Sequence, residues 1–108
     1  MKRVHHVGGS LLTGDDIADA LIDLAREAAE RGTVLAVEIP VHDQHGRGTR
    51  AQVLVGPGMQ LVSIGAGHDD AEIVEPETVR MLRSRAENTA LPFAPSDVWT
   101  YDYDDFDG

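Results

Sequence analysis

The chain predicts an α+β fold: a two-layer arrangement of a mostly antiparallel sheet with two helices on one face, followed by an extended C-terminal tail. Three features carry this expectation. A long stretch with apolar residues at helical spacing ends on Gly32, three runs of alternating residues follow between positions 33 and 64, and a shorter helical stretch opens at Pro76. The expected element order is β-α-β-β-β-α.

Residues 3–7 and 10–12 read as one short strand interrupted at Gly8-Gly9 by a bulge or turn. Thr13 suits the N-cap of the first helix, and Asp15 and Asp16 fall in its first turn, where the helix dipole favours acids. Ile17, Leu21, Leu24 and Ala28 then make the apolar face, with Ala18, Ala20 and Ala25 beside them. Those alanines predict close packing, most naturally on a sheet. Gly32 stops the helix as the residue beyond its C-cap.

In residues 33–43, Leu35, Val37, Ile39 and Val41 point one way while Glu38 and His42 point the other. Pro40 cannot donate a ladder hydrogen bond, which predicts an edge strand or a bulge. Residues 44–48 form a hairpin loop, and 49–55 return with Ala51, Val53 and Val55 on one face. Gly56-Pro57-Gly58 is a tight turn into a further strand over 59–64, which completes a three-stranded antiparallel meander. The second helix is expected from about Glu75, with Pro76 at its first position and a thin stripe of Val79, Leu82 and Ala86. Pro92 and Pro95 end any helix and open the tail.

At 108 residues there is room for one core, so the chain divides into an α+β body over 1–90 and a tail over 91–108. Cysteine is absent, which removes disulfides, thiolate metal sites and cysteine nucleophiles and fits a cytoplasmic protein. The basic start runs into Gly8-Gly9 rather than an apolar stretch, so no signal peptide is expected, and no segment approaches the length of a membrane span. A formal charge of −10 disfavours bare nucleic acid and anionic membranes as partners. A basic protein is the natural complement.

Motifs for catalysis are thin. His42 and His45 flank the hairpin loop and His5-His6 sit on the first strand, but their spacing matches no zinc pattern, and adjacent strand residues face opposite sides of a sheet. Asp69, Asp70 and Glu72 lack the spacing of a calcium loop. Ser10 and Ser63 lack a nucleophile context, and Asp15-Asp16 would repel a phosphate from the first helix. No cofactor, metal or catalytic residue is assigned. A small metal-dependent enzyme built on His42, His45 and nearby acids stands as an alternative. Asp16, Asp19, Asp23, Glu27 and Glu30 also line one helix face, a pattern that could imitate a phosphate backbone or simply be solvated.

The tail is the distinctive stretch. It holds every Phe, Tyr and Trp of the chain (Phe93, Trp99, Tyr101, Tyr103 and Phe106) and five acids, Asp97, Asp102, Asp104, Asp105 and Asp107. Trp99, Tyr101 and Tyr103 alternate with Thr100, Asp102 and Asp104, so an extended tail has an aromatic side and an acidic side. These features predict a non-enzymatic binding protein that recognises a basic protein surface, in the manner of an inhibitor, an immunity-type partner or a regulatory subunit. Trp99, Tyr101, Tyr103 and Phe106 would anchor, and Asp102, Asp104 and Asp105 would supply charge. The alternative is a structural homodimer in which the tail covers its own or its partner's sheet, since each ring can bury about 150–250 Å².

Overall fold

The computed structural model describes residues 1–67 and 72–90. Within them the chain forms β1 (Lys2–His6), β2 (Gly9–Thr13), α1 (Asp15–Arg31), β3 (Leu35–His42), β4 (Gly48–Val55), β5 (Val62–Gly65) and α2 (Pro76–Ala90). The strands make one antiparallel sheet in the order β4-β3-β2-β1-β5, and with the two helices this is an α+β fold.

Two strand expectations are corrected by the pairing. The interrupted first strand is a hairpin: Lys2 to His6 pair with Thr13 to Gly9, and only Val7 and Gly8 lie between. The meander stops after β4, because β5 pairs with β1 across the sheet instead of returning beside β4. The turn explains this. Gly58 has φ +79, and the Met59 amide donates to the Gly56 carbonyl at 3.2 Å, the pattern of a Pro-Gly type II turn. Such a turn opposes the twist of paired strands, so the chain leaves β4 and crosses to the far edge. The strand expected over 59–64 accordingly shortens to Val62–Gly65.

Pro40 sits on β3, second in the order rather than at the edge. β2 meets β3 at a single residue pair, Leu12 with His42, before its chain turns into α1. The inner edge of β3 therefore has no ladder partner along most of its length, and Pro40 loses nothing there. Its carbonyl accepts from the buried Thr13 hydroxyl at 2.7 Å, and the Ala36 carbonyl accepts from Arg85 at 3.0 Å. Glu75, just before α2, pairs with Arg50 at 3.2 Å, and Arg50 lies opposite Pro40. With Arg85 beside Ala36, α2 therefore runs antiparallel to β3 along this overhang.

The helix ends also divide. Gly32 closes α1 as expected, in the left-handed conformation with φ 69, its amide bonded to the Ala28 and Ala29 carbonyls. At the start, the N-cap is Gly14 without a side-chain bond, because the Thr13 hydroxyl is committed to Pro40. The cap comes from far along the chain. The Glu72 carboxylate accepts from the Asp15 amide and also lies 2.5 Å from the Met1 amino group, which sits 3.0 Å from Asp15.

One sheet face carries Val4, Val37, Ile39, Val41, Val53 and Val55, which pack with Ile17, Leu21, Leu24 and Ala28 of α1. α1 contacts β1, β4 and β5, and α2 lies against α1 with Leu82 fully buried. Among the described residues the buried cluster is built from Val, Ile, Leu and Ala.

Candidate binding surface

The register fixes what the other sheet face shows. One row runs Ile64, Arg3, Leu12, His42, Gly48 across β5-β1-β2-β3-β4, and the next holds Val62, His5 and Ser10. On this face Val62 and Ile64 stay 55% and 52% exposed. Arg50 and Glu38 pair on it at 3.3 Å.

The lone Leu12–His42 pair joins two parts of the sheet, β4-β3 and β2-β1-β5, and leaves a seam. Where Gly9 to Leu11 lose β3 and the hairpin turns away, a cavity of about 570 Å³ opens. Arg3, Ser10, His42, Asp43, Gln44 and Thr49 supply its polar groups. Arg3 donates to the Ser10 hydroxyl at 3.3 Å and makes no ion pair among the described residues. His42 Nδ1 is buried without a partner there. The cavity thus holds one guanidinium, Arg3, and one carboxylate, Asp43.

One oxygen of that carboxylate is already committed. Asp43 Oδ1 accepts from the His45 amide at 2.8 Å and the Arg47 amide at 3.0 Å, which shapes the hairpin loop. The Arg47 amide first, then that of His45, holds the Asp43 carboxyl below its ordinary value. A depressed folded-state pKa stabilises the fold above the unfolded carboxyl value of about 3.9, and this contribution is lost as pH falls through the lower folded value. Replacing Asp43→Ala should therefore lower the urea midpoint at neutral pH, and the gap from wild type should narrow as pH drops below about 4. A gap that stays constant into acid would contradict the assignment.

A second cavity, about 520 Å³, lies where the β4-to-β5 crossover passes the sheet. Val7, Leu11, Val53, Met59 and Leu61 give it an apolar lining, with His6 at its rim. Leu11 and Ala51 line both cavities, so a wall of two side chains separates the seam cavity from the apolar one. Both have the size of small-ligand sites.

The histidines do not converge on a metal: among the described residues no group of three or more His, Asp or Glu could hold one. His5 and His6 point to opposite faces, while His45 turns toward Gln44. The acidic face of α1 is partly neutralised, with Lys2 on Asp19 at 2.6 Å, Arg83 on Asp23 at 3.2 Å and Arg26 on Glu27 at 3.3 Å. That weakens its reading as a phosphate imitation. No helix among the described residues is long and apolar enough to cross a membrane. The tail residues singled out from the sequence, Trp99, Tyr101, Asp102, Tyr103, Asp104, Asp105 and Phe106, lie outside the described residues, as do Asp69 and Asp70. The reasoning from sequence missed the Arg3–Ser10–His42 grouping. The three residues come from three strands, and only the long-range register joins them. Compared with protein-family models, with curated proteins and with solved structures, the chain matches none.

Proposed function

We propose that this is a non-enzymatic binding protein whose acidic aromatic tail recognises a basic protein surface. What supports the reading is how the sequence divides its rings and its charge. All five aromatic residues fall within residues 91–108 and none within residues 1–90. Residues 1–90 carry fourteen acids and nine bases, and residues 91–108 carry five acids and no base, so half of the net charge of −10 sits on the last eighteen residues. Rings interleaved with carboxylates are the composition of an interface anchor for arginine- or lysine-rich surfaces.

The test is affinity capture from the cells that make the protein, with the full chain and with Trp99→Ala, Tyr101→Ala, Tyr103→Ala and Phe106→Ala combined. A basic protein retained by the first and lost by the second is the expected result. Equal retention by both would refute the tail as the recognition element.

The homodimer reading keeps one observation in its favour. β4 is an edge strand of eight residues, Gly48–Val55, with Leu54 56% exposed. Pairing of two copies there would make the unfolding midpoint rise with protein concentration.

A further inference from the structure

We infer that the cavity beside the β4-to-β5 crossover is a binding site for a neutral, mostly apolar small molecule that carries one hydrogen-bonding group. The inference goes beyond the proposed function: it concerns a ligand instead of a protein partner, and it uses no residue of the tail.

The cavity lies on the core face of the sheet. Leu11 pairs with Val4, and Ala51 and Val53 alternate with Val55 along β4, so their side chains share the face that α1 packs on. None of the cavity's lining residues belongs to α1 or α2. Residues 58–61 of the crossover border it instead, with Leu61 packed against the core cluster. Leu11, Ala51 and Val53 thus form a floor of core side chains beside a strap of chain, and the space amounts to about 520 Å³. Apolar surface so placed is stabilised by whatever removes it from water.

Exposure marks the mouth. Seven large apolar side chains stand exposed among the described residues, and three of them, Val7, Leu54 and Met59, line this one cavity. They come from the hairpin tip, from β4 and from the crossover, so no local amphipathic pattern accounts for their meeting. Exposed apolar side chains gathered around a concave space of this size are the mark of a ligand site.

Charge then selects the class of ligand. Charged residues make up 26% of the chain, yet no Asp, Glu, Lys or Arg lines the cavity. An ion entering it would give up water without gaining a counter-charge. The excess of acids over bases in residues 1–90 adds to that penalty for an anion. A neutral molecule meets neither cost. The polar side chains of the lining are His6, Gln52 and Gln60. The Gly8 amide donates to His6 Nδ1 at 3.1 Å, which places the hydrogen of the neutral ring on Nε2. That N–H can donate to a hydroxyl or carbonyl oxygen, and a glutamine amide can donate or accept. Met59 adds a thioether, which makes favourable contacts with aromatic rings. An aromatic alcohol or ketone satisfies the whole set.

The experiment titrates the full chain with N-phenylnaphthylamine, a neutral fluorescent probe, and then displaces it with naphthol or with naphthoate. The expected result is saturable binding of one probe per chain, reversed by the neutral naphthol and not by the naphthoate anion. Met59→Lys should weaken probe binding about tenfold or more while the circular dichroism spectrum stays that of wild type. Val7→Lys should act in the same way at a fully exposed position of the hairpin tip, where the core has nothing to lose. Val62→Lys, on the opposite sheet face beside His5, should bind as wild type does. A signal that does not saturate, or wild-type affinity in both the Met59→Lys and Val7→Lys variants, refutes the site. Displacement by naphthoate as strong as by naphthol would overturn the assignment to neutral molecules. One probe per two chains would overturn the single-chain site and give the cavity to an interface between copies. None of these readouts involves a basic protein, so this inference and the proposed function fail separately.

Discussion

Gly14→Ala should destabilise the body by about 1–3 kcal/mol or more, through a steric clash and nothing else. A Cβ at Gly14 would lie 1.9 Å from the Ile73 carbonyl oxygen and 3.0 Å from its carbon, both backbone atoms. Backbone preference plays no part, since Gly14 has φ −68 and ψ 154, which alanine adopts readily. Either the segment entering α2 moves away from α1 or the first turn of α1 opens. In both cases the Glu72 carboxylate loses the Asp15 amide. For a body of this size each kcal/mol moves the thermal midpoint by about 4–8 °C, so a drop of roughly 5–20 °C is expected. Hydrogen exchange should speed up at Asp15 and Ile73 before it does in β3. An unchanged midpoint would mean that this close approach is not a feature of the folded protein.

The second large effect is at Leu21. This side chain is fully buried where α1 meets the sheet, within the cluster that includes Ile39 and Val55. Leu21→Ala should cost about 2–5 kcal/mol, the transfer free energy of the lost atoms plus the cavity left behind. A body of some ninety residues has about 5–13 kcal/mol in total at 0.05–0.15 kcal/mol per residue, so a large share of its stability would go. Urea denaturation provides the measure, with a lower midpoint and an unchanged slope. A loss below about 1 kcal/mol would place Leu21 outside a tightly packed core.

The contrast between these two residues shows what the sequence could convey. Leu21 belongs to a local pattern. Ile17, Leu21, Leu24 and Ala28 share a face because of helical periodicity, and Gly32 ends the run because a left-handed residue is easiest for glycine. Val37, Ile39 and Val41 were legible for the same reason, with period two in place of 3.6. Gly14 belongs to no such pattern. Its partner, Ile73, lies far along the chain, and nothing local announces the approach. Thr13 looked like an N-cap by residue type, yet its hydroxyl bonds to Pro40 in the tertiary structure, which outweighs the local preference. The destination of β5 was hidden too, because a Pro-Gly turn reads as a hairpin until its handedness is considered. The candidate surface depends wholly on this non-local information. Arg3, Ser10 and His42 meet because β2 touches β3 at one pair and then departs.

A body that is complete without the tail should unfold much as the full chain does when the chain ends at Ser96. Deletion removes Trp99, Tyr101, Tyr103, Phe106 and all five tail acids. If the rings are reserved for recognition, the midpoint should stay within about 8 °C of the full chain, the shift that a loss of about 1 kcal/mol produces. The transition should remain cooperative. A drop well beyond that, or the loss of a cooperative transition, would show that the aromatic residues are part of the core, and the tail could then not be a free recognition element.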